Sequence, residues 1–201
     1  RYNKIADKHG THAAGTIGAR RGNGGITGIT DNAHVKIMVL KVLGQNGAGS
    51  PEAVINAIKY AEANGASICN LSLGSTKYLP ELEEQIKNSS MLFVAAAGNG
   101  DMNGVGYDTD QSGVYPASFS SDNIISVANM MFNGELDVSS NYGAQTVDVA
   151  APGSYILSTT PGNTFEFLTG TSMAAPIVTG IAAFVYSYRP DLSLLQVKEA
   201  I

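Results

Sequence analysis

The sequence predicts an α/β protein with three layers, in which a mostly parallel, twisted sheet carries helices on both faces. Short, nearly continuous apolar runs alternate with helix-like segments along the 201 residues. Strands that are apolar throughout are typical of parallel sheets, which are buried on both faces. The 23 glycines cluster in the loops between these segments. Because ligands of open α/β sheets bind beyond the carboxyl ends of the strands, we expect the functional site in those loops.

The first elements are a strand followed by a helix. The apolar run 35–43 (VKIMVLKVL) predicts a strand. A helix is predicted in the segment that follows, because Ser50 is a favourable N-cap and Pro51 suits the first helical position. Gly65 suits the end of that helix. This pair begins the alternation that the rest of the chain continues.

The later elements repeat the pattern. Strands are predicted in the segments 66–73, 91–97, 123–129 and 146–152. Helices are predicted in 79–88, with Leu82 and Ile86 facing inward, from near Ser172 to 188, and from 192 onward. Crossovers between parallel strands are expected to be right-handed.

The composition excludes several classes of function. Charged residues make up 14% of the chain and the net charge is −5, which argues against nucleic-acid binding through clustered Lys and Arg. We expect no membrane span and see no signal peptide. The one cysteine, Cys69, cannot form an internal disulfide, so the composition does not indicate an oxidising compartment.

Three residues together suggest nucleophilic catalysis. His9, Asn99 and Ser172 each have an ordinary explanation alone: a loop histidine, a turn asparagine and a helix cap. A hydroxyl nucleophile, however, needs a base such as histidine and donors aimed at the developing oxyanion. A serine at a helix start supplies its own N–H at the positive end of the helix dipole. We therefore interpret His9 as base, Asn99 as oxyanion donor and Ser172 as nucleophile.

A metal hydrolase is the weaker interpretation. His9 and His12 have the spacing of a metal pair, but no third ligand is indicated and no H-E-x-x-H occurs. The serine context G-T-S-M-A also differs from the G-x-S-x-G of α/β-hydrolases.

Four motifs in order, HGTHAAGT, NLSLG, AAAGN and GTSMAAP, resemble the subtilisin (subtilase) family of serine endopeptidases over nearly the whole chain. The resemblance implies a subtilisin-like fold and peptide-bond hydrolysis by acyl transfer, with His9, Asn99 and Ser172 in the roles given above. It makes His12 structural. It also implies a cis Tyr115–Pro116 bond, a geometry found almost only before proline.

The resemblance further implies a substrate cleft in which the peptide adds as an extended strand between two edge segments. The matching positions are Gly47, Ala48 and Gly49 on one side and Ser72, Leu73 and Gly74 on the other. The P1 pocket would be walled by Ala96, Ala97, Gly98 and Gly100. Small, uncharged walls predict broad specificity with a preference for large apolar P1 residues.

One part of the family pattern is absent. Subtilases carry the triad aspartate on the first core strand, in an Asp-Thr-Gly or Asp-Ser-Gly context before the histidine motif, and neither occurs here. Asp7 is the one acid before His9 and lies too close in sequence. We therefore expect residues 1–201 to be a single but incomplete peptidase domain, lacking the first core strand and the carboxyl-terminal end. Without the acid, activity is expected to be strongly impaired.

Three explanations for the missing acid stay open. The chain is a truncated form or cleavage product, the acid comes from a separate segment that stays bound, or the protein is a catalytically inactive subtilase-like binding or scaffold module. The expected partners are accordingly a protein or peptide substrate and the missing amino-terminal segment or a pro-peptide. Secretion is the family default, although intracellular relatives exist.

Catalysis of this type needs no cofactor, but structural calcium is a question for two loops. The resemblance places a calcium loop at 19–28, where Asn23 is the first side chain with a suitable oxygen. The loop 100–113 offers Asp101, Asp108 and Asp110. For both loops the alternative is a solvated surface loop.

Overall fold

A four-stranded parallel sheet forms the centre of the molecule. The computed structural model describes residues 7–31, 33–44 and 46–201. The strands are β1 (Ile68–Leu71), β2 (Leu92–Ala96), β3 (Ile124–Met130) and β4 (Val149–Pro152), and they lie side by side in chain order. Every pairing is parallel. The predicted α/β fold class is thereby confirmed.

Helices cover both faces of the sheet. They are α1 (Lys8–Gly18), α2 (Pro51–Ala63), α3 (Pro80–Lys87), α4 (Thr171–Tyr188) and α5 (Leu194–Glu199). Alternate residues of β2 enter different cores, since Phe93 packs with the buried residues of α2 and α3 while Val94 packs with those of α4. Successive side chains of a strand point to opposite faces, so the sheet is the middle of three layers.

The predicted helix boundaries reflect local hydrogen bonding. Ser50 is the N-cap of α2, and its side chain accepts a hydrogen bond from the N–H of Ala53 at 3.2 Å. Pro51 opens the helix as expected. Gly65 follows the helix with φ of 78°, a conformation that glycine adopts without a steric cost.

The predicted strand at 35–43 is not formed. These residues carry no strand pairing among the residues that the structure describes. A strand is defined by its ladder, and an apolar run without a partner strand stays irregular. Part of the run still contributes to the core, because Leu40 and Val42 pack against it, whereas Ile37, Met38 and Val39 are exposed.

An antiparallel hairpin was missed in the sequence. It consists of β5 (Ile156–Thr160) and β6 (Thr164–Leu168). Its turn contains Gly162 and Asn163, with φ of 91° and 57°. Gly-Asn between alternating segments is a hairpin signal, so the sequence did contain the information. The hairpin packs on α1.

Helix α4 begins at Thr171 with Gly170 as N-cap, so the predicted helix start near Ser172 is confirmed, and Ser172 is the second helical residue rather than the cap. The expectation of no possible membrane span needs correction, because α4 is long and apolar enough by length and composition to cross a membrane. Half of that span is buried, and the helix packs against all four strands of the sheet, as core helices of soluble proteins also do.

Candidate active site

A cavity of about 240 Å³ lies where β1 and β2 end and α4 begins. Its lining contains seven of the residues predicted for the site: Leu73, Gly74, Ala96, Gly98, Asn99, Gly100 and Ser172. It also contains residues that sequence reasoning missed: Ser75, Thr76, Tyr107, Val114, Asn141 and Thr171. The predicted residues His9, Ser72, Ala97 and Gly47 to Gly49 do not line it. The cavity lies at the carboxyl ends of the strands, where the fold class predicts a site.

Ser172 sits in the first turn of α4, and this position has two consequences. The first N–H groups of a helix have no partner within the helix, which leaves this end able to donate to an anion. Pro176 stands four residues later inside the same helix and has no N–H to give to the Ser172 carbonyl. The Ser72 hydroxyl fills that role, donating to the Ser172 carbonyl at 2.8 Å.

Ser72 is itself held by a short chain of hydrogen bonds between β1 and α4. The Asn70 amide donates to the Ser72 hydroxyl at 2.9 Å, and the Thr179 hydroxyl donates to the Asn70 Oδ1 at 2.9 Å. The Ser172 hydroxyl points back to the Ser72 carbonyl at 3.4 Å. The end of β1 therefore fixes the start of α4.

The Asn99 side chain is oriented by Thr171. Its Oδ1 accepts hydrogen bonds from the Thr171 N–H at 2.8 Å and from the Thr171 hydroxyl at 3.0 Å. An amide has separate donor and acceptor ends, so this arrangement leaves the Asn99 Nδ2 as the end able to donate elsewhere. Thr171 was missed because a threonine before the serine has no distinctive spacing signal.

His9 lies in the first turn of α1 and is half-buried. Burial, and then the neighbouring His12, lower the pKa of His9, which favours the neutral imidazole. Among the described residues no carboxylate contributes to the pKa of His9. The nearest acid in sequence, Asp7, forms an ion pair with Lys41.

His12 lies on the buried side of α1 and ties this helix to the β5–β6 hairpin. Its Nε2 is 2.9 Å from the Ile156 carbonyl and 3.2 Å from the Glu166 carbonyl, so Nε2 carries the proton. Burial lowers the pKa of His12, and these carbonyl contacts oppose the shift. The ring is fully buried and spans two elements, as a structural residue would.

The two predicted edges of the cleft differ in what holds them in place. On one side Gly47, Ala48 and Gly49 are exposed, and their loop is closed by a hydrogen bond from the Gly44 N–H to the Ala48 carbonyl at 2.8 Å. On the other side Ser75 pairs with Tyr115, next to the Tyr115–Pro116 bond, which is cis as predicted.

In the loop 100–113, which was considered for calcium, two carboxylates already accept hydrogen bonds from backbone N–H groups. Asp110 accepts N–H bonds from Ala144, Gln145 and Thr146, and Asp101 accepts them from Asn103 and Val105. The hydrogen bond from the Thr146 hydroxyl, and then these N–H bonds, lower the pKa of Asp110, while the N–H bonds from Val105 and Asn103 lower the pKa of Asp101. Within residues 7–31, 33–44 and 46–201, no three His, Cys, Asp or Glu side chains come together as a metal site.

An α/β fold with a serine at the amino terminus of a helix is compatible with an enzyme that hydrolyses its substrate through a serine nucleophile. The sequence model of the subtilase family (Peptidase S8) matches residues 2–201, so the chain belongs to the subtilase family. It is 42% identical over 187 residues to the major intracellular serine protease of Bacillus subtilis. It is 36% identical over 207 residues to subtilisin DY of Bacillus licheniformis.

A solved structure supports the same relationship. The crystal structure of a cold-adapted subtilisin-like serine proteinase superposes with a TM-score of 0.82 at 30% identity, covering 96% of this chain and 66% of that one. The aligned part is 91% of this chain and 56% of the Bacillus subtilis relative, and all of this chain and 71% of subtilisin DY. Because one relative is named as intracellular, family membership does not fix where the protein is located.

Proposed function

We propose that the protein is a serine endopeptidase that hydrolyses peptide bonds by acyl transfer. The observation that carries the proposal is one cavity shared by Ser172, at the amino terminus of α4, and Asn99, whose Oδ1 is fixed by Thr171. A nucleophile beside an oriented amide donor is the arrangement that acyl transfer requires.

In this mechanism Ser172 attacks the peptide carbonyl while His9 takes the hydroxyl proton. The Asn99 Nδ2 and the Ser172 N–H stabilise the oxyanion, aided by the positive end of α4. His9 then protonates the leaving amine, and water repeats the cycle to release the acid. The lowered pKa of His9 keeps the base neutral at neutral pH.

We further propose that the carboxylate that orients His9 comes from outside the described residues, on an amino-terminal or separately bound segment. The support is that no described carboxylate contributes to the pKa of His9. An imidazole without this partner is not held in the right tautomer, and kcat falls about 10⁴-fold in enzymes of this mechanism.

The proposed substrate is an extended peptide with a large apolar P1 residue. Ala96, Gly98 and Gly100 make that part of the cavity wall small and uncharged. The two edges, Gly47 to Gly49 and Ser72 to Gly74, would bind the peptide backbone without reading its sequence. A strict demand for Arg or Lys at P1 in a peptide library would contradict this specificity.

An inactive subtilase-like binding or scaffold module is the second candidate. It is favoured by the Ser172 hydroxyl, which is directed at the Ser72 carbonyl at 3.4 Å rather than at an imidazole. Such a module would keep the cleft and bind peptides without cleaving them.

A serine-directed fluorophosphonate separates the two candidates. We expect covalent labelling of Ser172, found by peptide mass mapping, in the protein at its full natural length and more slowly in residues 1–201. Ser172→Ala should abolish the label, while Ser187→Ala at the far end of α4 should not. A full-length protein that binds peptides but takes no label would establish the inactive module instead.

A further inference from the structure

Asn141 is a buried asparagine that the mechanism above does not use. It follows β3, is 1% exposed, and contributes to the cavity wall. Sequence reasoning did not single it out, because an asparagine in a loop ordinarily indicates only a turn.

The Asn141 amide holds both sides of the turn that carries Asn99. Its Nδ2 donates to the Ala97 carbonyl at 3.0 Å, just before the turn. Its Oδ1 accepts from the Gly100 N–H at 3.0 Å, just after Asn99. The Asn141 backbone N–H donates to the Gly98 carbonyl at 3.0 Å. Every residue of 97–100 except Asn99 itself therefore forms a hydrogen bond with Asn141.

This turn needs outside support. Gly98 and Gly100 have φ of 104° and 80°, a region that other residues rarely adopt. Glycine pays the largest entropy cost for being fixed, so a turn with two such glycines depends on bonds from its surroundings. A Cβ built on Gly98 would lie 2.5 Å from the Asn141 Nδ2, which shows that the amide is seated directly on the turn.

We propose that Asn141 is a positioning residue for Asn99 and at the same time a wall of the P1 pocket. It acts on the oxyanion donor through the backbone of 97–100, and it also bounds the cavity that the P1 side chain would enter. This inference rests on the proposed function and goes beyond it, because it assigns one buried amide to both rate and specificity.

The chain offers a matched control in Asn123. The Asn123 Nδ2 donates to the carbonyls of Ile86, Ser89 and Met91 at 2.8 to 3.1 Å. It thus clamps the turn at the amino end of β2, whereas Asn141 clamps the turn at the carboxyl end. Removing either amide leaves backbone groups without partners, but only one of them adjoins the cavity.

The test compares Asn141→Ala with Asn123→Ala in the protein at its full natural length, using peptide anilides with Ala, Leu or Phe at P1. We expect Asn141→Ala to lower kcat roughly 10- to 100-fold, because small misplacements of catalytic groups have effects of this size. The ratio of kcat/KM between Phe and Ala at P1 should change several-fold. Asn123→Ala should lower the melting temperature but leave kcat and the P1 ratio unchanged.

Each outcome decides between the proposals. If Asn141→Ala changes only the melting temperature, as Asn123→Ala does, the positioning role is wrong and the proposed function stands. If Asn141→Ala does not fold, the isosteric Asn141→Asp is judged by the same kcat and P1 criteria. This variant keeps the bonds that Oδ1 accepts from the N–H groups of Gly100 and Tyr107 and loses the bond donated to Ala97. If the unsubstituted protein neither cleaves the anilides nor reacts with a fluorophosphonate, the proposed function is overturned and this inference with it.

Discussion

The two ends of the central sheet use the same device for different purposes. At the amino end of β2, Asn123 satisfies three carbonyls of the turn after α3, and Glu62 accepts bonds from Ser89 and Ser90. At the carboxyl end, Asn141 clamps a turn built on two glycines with positive φ. The amino end is an ordinary connection held by side-chain hydrogen bonds, while the carboxyl end holds in place a turn that only glycine forms readily.

The difference teaches where a turn depends on glycine and on outside hydrogen bonds. Two glycines give this turn its positive φ angles without steric cost, but fixing them costs the most backbone entropy. Around β2 the glycine turn carries Asn99 and lies beside Ser172, and the ordinary turn lies at the far end. Substitutions at the carboxyl end should therefore change activity more than stability, and those at the amino end the reverse.

The largest effect is expected from Asn99→Ala. Loss of the proposed oxyanion donor should lower kcat about 10²- to 10³-fold, the usual effect of removing one such donor, with little change in KM. Steady-state kinetics on a peptide anilide measure it, and the melting temperature serves as the control. A rise in KM of the same size, with no change in kcat, would show that Asn99 only binds substrate.

Ile86→Ala tests the opposite end. Ile86 is fully buried near the amino end of the sheet, and the cavity left by this substitution should cost about 2–5 kcal/mol of unfolding free energy. Urea denaturation measures the loss, and Ile86→Val should cost about 0.5–1.5 kcal/mol. If the folded Ile86→Ala variant lost kcat to the same extent in free energy as it lost stability, the two ends of the sheet would not differ in their effects on activity and stability.

A smaller effect is expected from pH. The lowered pKa of His9 and His12 means that the unfolded chain takes up protons before the folded chain as pH falls. Stability should therefore decrease below pH 6.5, by at most about 1.4 kcal/mol per pH unit for each histidine. Proton NMR of residues 1–201 should give a His9 midpoint below 6.5, and a midpoint above it would reveal a carboxylate partner.

The smallest effect is expected from Ser50→Ala. Loss of the bond from the Ala53 N–H to the cap should cost about 1 kcal/mol of unfolding free energy, whereas Ser50→Gly should cost only a few tenths. Thermal melts at constant pH measure the pair. A change in kcat would indicate that the adjacent loop 46–49 responds to the helix start.

Local rules predicted most of the fold. The cap at Ser50, the stop at Gly65 and the buried face of α3 follow from propensity and spacing, and all three are found. The prediction of a strand at 35–43 was wrong, because strand formation depends on a neighbouring strand that the sequence pattern does not reveal. The β5–β6 hairpin was missed although Gly162 and Asn163 provide the turn signal.

The candidate site was predicted less completely than the fold. Motifs identified Ser172 and Asn99, which share the cavity in the structure. The contacts that hold them could not be predicted, because Asn141 reaches Ala97 across 44 residues and Ser72 reaches Ser172 across 100. Only the folded topology brings such pairs together. The catalytic roles themselves stay predictions.

Pro176 has a consequence for the timing of synthesis. Because Pro176 has no N–H to donate, the Ser172 carbonyl accepts a hydrogen bond from the Ser72 hydroxyl instead. Ser72 is synthesised 100 residues before Ser172. A growing chain that has made β1 but not α4 contains Ser72 and not Ser172, so it holds only one partner of this hydrogen bond. Ser172 thus acquires its fixed position only when the last long helix docks beside β1.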